Sequence, residues 1–251
     1  FRIIPVTIAE GIGKIISTIG AIITGTDIGE GLTLDKILFN EVEITSIDFF
    51  ESSSDPSVNS LRNNVAMWYV GIRNLSAIIL ALILLYVGIR MAISSVAEDK
   101  ARYKKMLFNW VLSLGILFFL HILMQAVIFV NNSLVDIMSN ARADGTAENF
   151  DSVMNHFAAD AWDIKIDTVT GITYALIYLL LSVMTFIFLL TYIMRMLTIA
   201  FLIMIAPIIT ITYSIDKMGD GKSQALNNWL KEFVYNVLIQ PFHCIIYLSL
   251  V

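Results

Sequence analysis

TGITYALIYLLLSVMTFIFLLTYIMRMLTIAFLIMIAPIITITY, residues 170–213, decides what kind of protein this is. Arg195 is its one charge. A helix that crosses a bilayer needs about 20 apolar residues, and this run is roughly twice that length. It reads as two spans, 171–193 and 197–213, joined by a tight turn near Met194-Arg195-Met196. A helix of a soluble domain needs a polar face, and this stretch has none. The chain is therefore expected to be an integral membrane protein.

Composition agrees. The 251 residues are 57% hydrophobic and 15% charged, whereas soluble domains carry about 25% charged residues. The net charge of -5 matters less than where the charges lie. Cys244 is the only cysteine, which rules out an intrachain disulfide and disfavours a thiolate metal cluster. The chain opens on Phe1 and stops within an apolar run at Val251, so further sequence, with a targeting segment, is expected before it and more after it.

Working outward, two further spans precede the central run. Residues 75–93 follow Trp68, Tyr69 and Arg73, aromatic and basic residues of the kind that anchor a helix at a membrane surface. Asn59-Ser60 offers a helix start. Residues 107–130 form the second span and carry His121 and Gln125 one turn apart, so on one face. Such residues either bond a neighbouring helix or line a hydrated path. Between the two spans, Lys100, Arg102, Lys104 and Lys105 mark loop 94–106 as cytoplasmic by the positive-inside rule. Loop 131–168, rich in aspartate, then falls on the extracytoplasmic side. Within it Val153, Phe157, Ala161 and Ile164 have helical spacing, and His156 with Asp160 forms a weak metal-ligand pair lacking a third ligand.

After the central run, residues 214–228 read as a polar loop on the outer side. Its Gly-Asp-Gly-Lys-Ser at 219–223 is not a phosphate-binding loop, because Asp216 stands where the first glycine is required. Residues 229–251 form the fifth span, with Trp229 as an anchor at its outer end. Pro207 kinks the fourth span and Pro241 the fifth. Pro241 frees the carbonyl near Val237, and Gln240 and His243 add polar groups at that depth. A hydrated gate and a packing kink both fit these residues.

Residues 1–64 stand apart as an extracytoplasmic region. Ile8, Ile12, Ile15, Ile16, Ile19, Ile22 and Ile23 make one face of an amphipathic helix, lying on a membrane, on a partner or on this chain's own spans. Residues 27–56 read as a loop with a short strand, and Glu41, Glu43, Asp48, Glu51 and Asp55 as a solvated acidic face. The expected architecture is all-α: about five transmembrane helices over residues 65–251, an N-terminal amphipathic helix and a long external loop.

Two segments carry a family resemblance. YVGIRMAISSVAEDKARYKKMLFNWVLS, residues 86–113, and the tract from Leu202 to Val251, with IAPIITITYSIDKMGDGKSQALNNWLKEF and VLIQPFHCIIYL, resemble the TrbL-like polytopic subunit of type IV secretion systems in Gram-positive conjugative elements. The similarity covers most of Leu61–Val251. It implies a plasma-membrane protein with an external N-terminus and five spans. It also implies a non-enzymatic channel or scaffold subunit that forms homo-oligomers, works with other secretion subunits including ATPases, and touches translocated protein or DNA in passing. The family has no catalytic motif to carry over, and no cofactor or metal is expected. The pore or helix-interface candidates are His121, Gln125, Arg195, Pro207, Gln240, Pro241 and His243. A small-solute or ion transporter is the alternative; no inverted repeat is evident in its favour. A membrane enzyme is disfavoured because no paired carboxylates or nucleophile–base set lies near a membrane face.

Overall fold

The computed structural model describes residues 34–144, 168–216 and 224–250, with separate positions among 7–18 and at 159–160. The described part is helical, with no strand. A five-residue helix, α1 (Leu34–Leu38), and a 3-10 turn (Glu43–Thr45) precede four long helices. These are α2 (Pro56–Ile93), α3 (Ala97–Asp144), α4 (Thr168–Asp216) and α5 (Gln224–Leu250).

Asp55-Pro56 starts α2, four residues before the Asn59-Ser60 signal. The Asp55 carboxylate accepts from the Ser57 and Val58 amides, and Pro56 supplies a pre-set φ at a position whose N–H would be unused. Residues 94–96 break the chain sharply between α2 and α3. The basic residues expected in a loop instead lie on the first turns of α3. Glu98 and Asp99 sit at its N-terminus, where the helix dipole favours them.

The largest correction concerns the central run. Thr168–Asp216 is one helix of 49 residues, uninterrupted at Met194-Arg195-Met196. That sequence holds no glycine or proline to end a helix, and methionine and arginine are good helix formers. A lone charge in an apolar run suggests a boundary, because charge belongs at a membrane surface. In the structure Arg195 is satisfied inside the bundle, so no boundary is needed. The two central spans become one, and Pro207 lies within it.

The four long helices form an up-down bundle. Tyr69 meets His121 while the Trp110 indole donates to the Leu80 carbonyl, so α2 and α3 run antiparallel. Val135 packs with Leu189 at one end of the α3–α4 pair, and Ser113 bonds Ser214 at 2.9 Å at the other. Tyr192 meets His243 while Trp229 donates to the Leu202 carbonyl, which sets α5 antiparallel to α4. The α4–α5 connection thus lies toward the same end as the α2–α3 bend, not the opposite one, because one long helix replaces two spans. Trp229, expected as an exposed anchor, is 4% exposed and stacks on Phe233. Tyr69 is likewise buried, while Trp68 points outward.

Three of the helices, Pro56–Ile93, Glu98–Ala141 and Val169–Ser214, are long and apolar enough to cross a membrane. Over most of its surface the bundle is apolar, and it also holds polar side chains inside. Leu75, Ile78, Leu82, Phe118, Phe119, Ile122, Leu180, Ile187 and Phe201 face outward, while Ser76, Ser113, Asn131, Thr185, Arg195, Thr210, Ser214 and Gln240 are buried. Water would not tolerate that outer surface as one contiguous patch; lipid does. The chain is an all-helical membrane protein.

The described N-terminal segment caps one end of the bundle. Leu34, Ile37, Leu38, Phe39 and Val42 pack with Val135, Leu189, Tyr192, Cys244 and Tyr247, and Ile12 joins this cluster. Ile8 and Ile15 are exposed. Ile47 and Phe49 enter a larger core with Met124, Met196, Ile203, Trp229 and Phe233. The acidic residues are not simply solvated. Glu43 accepts from the hydroxyls of Ser53 and Ser54 and from the Asp55 amide, and these bonds hold its carboxyl down at about 2. Asp48 accepts from Asn132 of α3 and from Ser46.

Candidate functional site

The bonds that join α3, α4, α5 and the cap converge on Arg195 and Gln240. Both are buried, at 6% and 0% exposure. The site begins with a backbone defect. Pro241 has no N–H, so the Val237 carbonyl one turn earlier loses its usual partner. Arg195 fills the gap from α4: Nη2 donates to Val237 O at 2.8 Å and Nε to Asn236 O at 2.7 Å. Nη1 donates to Gln240 Oε1 at 2.9 Å. A guanidinium suits this role because it is planar and presents several fixed donors. Its carbon also lies 5.3 Å from the centroid of Tyr192, one turn back on α4.

Gln240 extends the site. Its Oε1 also accepts from Asn131 of α3 at 3.3 Å. Its Nε2 donates to Leu38 O and to Asn40 Oδ1, both at 2.7 Å. Asn40 holds the left-handed backbone conformation, φ 60°, that asparagine tolerates better than most residues. One glutamine amide thus ties three elements together, and Asn131 and Asn132 continue the chain of bonds to Asp48. Arg62 completes the far side, donating to Glu51 O and Ser46 Oγ. Among the described residues the acceptors bonded to Arg195 are all neutral, so its charge is stabilised by oriented dipoles and by the face of the Tyr192 ring.

The sequence candidates divide. The structure joins Arg195, Gln240 and Pro241 in one hub. His243 lies beside it, its Nδ1 3.2 Å from the Tyr192 hydroxyl and its ring against Phe188. Pro207 is buried further along α4, where its carbonyl accepts from Thr210. His121 sits elsewhere, between α2 and α3, with Phe50 edge-on at 4.7 Å. Gln125 is on the outer surface. Trp68 is exposed and Arg73 lies near the Tyr69 ring. His156 and the 219–223 segment lie outside the described residues. Sequence reasoning missed Asn131, Asn40 and Arg62. The first could have been found as an asparagine where the second apolar run ends, but its partners are remote in sequence.

A second polar place lies in the α2–α3 seam. Tyr69 Oη and His121 Nδ1 are buried there, and Ser76 Oγ is buried on α2, all without a hydrogen-bond partner among the described residues. No group of three or more potential metal ligands occurs among the described residues. Compared with family models, curated proteins and solved structures, the chain gives no match.

Proposed function

We propose that this chain is a non-enzymatic channel or scaffold subunit of a type IV secretion (conjugation) apparatus in the bacterial plasma membrane. In this reading several copies assemble with separate ATPases and other envelope subunits to move protein or DNA–protein substrates. The family resemblance supplies the name of the machine. The observation that carries the assembly is the length of α4. At 1.5 Å per residue its 49 residues extend about 73 Å, against a hydrocarbon layer of about 30 Å. Apolar side chains face outward along much of it, from Val169 to Ile208. At the usual tilt of about 20° lipid covers roughly 32 Å of the helix. The remainder calls for protein neighbours, which a subunit of a larger machine has.

The hub has a matching role. It ties α5 to α4 and to the cap, so that packing faces are presented in one geometry. Orientation follows the basic residues of α3, with that end cytoplasmic and the cap outside. Gentle detergent extraction with native mass determination tests the reading. A large homo-oligomer carrying ATPases or envelope proteins is the expected result. A partner-free monomer would favour the transporter alternative.

A further inference from the structure

One core cluster fixes the depth of α5 against its neighbours. Trp229 and Phe233 pack there with Leu120 and Met124 of α3 and Leu202 and Ile203 of α4. At this level the bundle shows two different faces. From α3, Phe118, Phe119 and Ile122 point outward, and Phe201 does so from α4. At this level the outward residues of α5 are Asn227, Asn228, Lys231 and Glu232, with Tyr235 outward one turn further on. Glu232 bonds Asn236 on its own helix, so the carboxylate stays on the outer surface of α5. Lipid suits the first face. It does not suit the second, because ions and amides at hydrocarbon depth face protein or water.

We propose that the first turns of α5 line a water-filled path, which, on the channel reading above, lies between copies of this chain. The lining also indicates what passes. A nucleic-acid path needs an excess of lysine or arginine to neutralise phosphates. Here one lysine is balanced by one glutamate among amides. The chemistry fits an extended polypeptide of mixed charge rather than a polyanion.

Spin labels at Asn228→Cys and Phe118→Cys, read in the assembled complex in membranes, test the placement. The label at 228 should meet a water-soluble nickel chelate several-fold more often than the label at 118, with the reverse order for oxygen. Oxygen-rich, chelate-poor surroundings at both positions would mean that α5 faces lipid and would overturn the proposal. Chelate access at both would place this level outside the bilayer and overturn it equally. If the native complex is a monomer but the two labels still differ as expected, the secretion reading fails while the water-facing assignment of α5 stands. Cationic and anionic thiol adducts at position 228 should slow export to the same degree. Slowing by the anionic adduct alone would overturn the polypeptide assignment.

Discussion

The Arg195–Gln240 hub and the Tyr69–His121 seam both place polar side chains between helices, yet they are built on opposite terms. In the hub, donors from α3 and α4 meet acceptors on α5, and Gln240 reaches on to the cap; Asn131 Oδ1 is the exception, without a partner among the described residues. In the seam, Tyr69 Oη and His121 Nδ1 are buried with rings 5.9 Å apart, and neither atom is paired among the described residues. A buried polar group contributes only when its partners are present. The hub should therefore hold the bundle together, while the seam should cost stability. Residue type does not separate the two places. Accounting for each buried donor and acceptor does.

The largest test removes the centre of the hub. Arg195→Met leaves two backbone carbonyls and the Gln240 oxygen short of a donor, and should destabilise the bundle by about 3 kcal/mol. Denaturant titration in detergent reads this; wild-type stability would contradict a structural role for the hub. Next comes a cycle with Pro241→Ala, which returns an N–H to Val237 O. In the Arg195→Met background it should recover about 1 kcal/mol, a coupling between residues in contact. Strict additivity of the two changes would show that Arg195 does not serve the proline defect. Smaller still, His121→Phe and Tyr69→Phe remove unpaired atoms while keeping ring volume. Each should leave stability within about 1 kcal/mol of wild type or raise it. A loss as large as that of Arg195→Met would erase the contrast between hub and seam.

The smallest effect concerns the cap. Glu43 is held from its ordinary 4.5 down to about 2, first by Ser53 and Ser54 and then by the Asp55 amide. Its folded value is lowered, so its contribution is present above pH 4.5 and fades as pH falls toward about 2. Glu43 is only half-buried and its bonds lie within reach of solvent, so the change should be slight. The protection of the Asp55 amide, its exchange rate relative to the free-peptide rate at the same pH, should fall across that window, and Glu43→Gln should flatten the response. An identical pH response in the variant would remove Glu43 from the account.

Much of this architecture was legible in the sequence. The apolar runs announced long membrane helices, and Pro241 announced a carbonyl without a partner. The turn at Arg195 was misread for a physical reason. A charge in an apolar run has two solutions, a membrane surface or a set of buried acceptors, and those acceptors lie 41 to 45 residues away on α5. No local pattern connects them. The cap was harder still, since Gln240 reaches Leu38 and Asn40 across some 200 residues. Helix ends were nearer to hand: Asp55-Pro56 was a stronger start than Asn59-Ser60, because it joins a capping carboxylate to a proline that needs no donor.

The placement of Cys244 gives the molecule a clock of its own. The thiol is fully buried and donates to the Leu38 carbonyl at 3.4 Å, so α1 lies over it like a shutter. Because the chain has no other cysteine, an alkylating reagent finds its target only when the packing of α1, α3 and α4 around it opens, and α1 is the shortest of these elements. The rate of that single modification, followed on the unaltered protein, times how often the cap lets go.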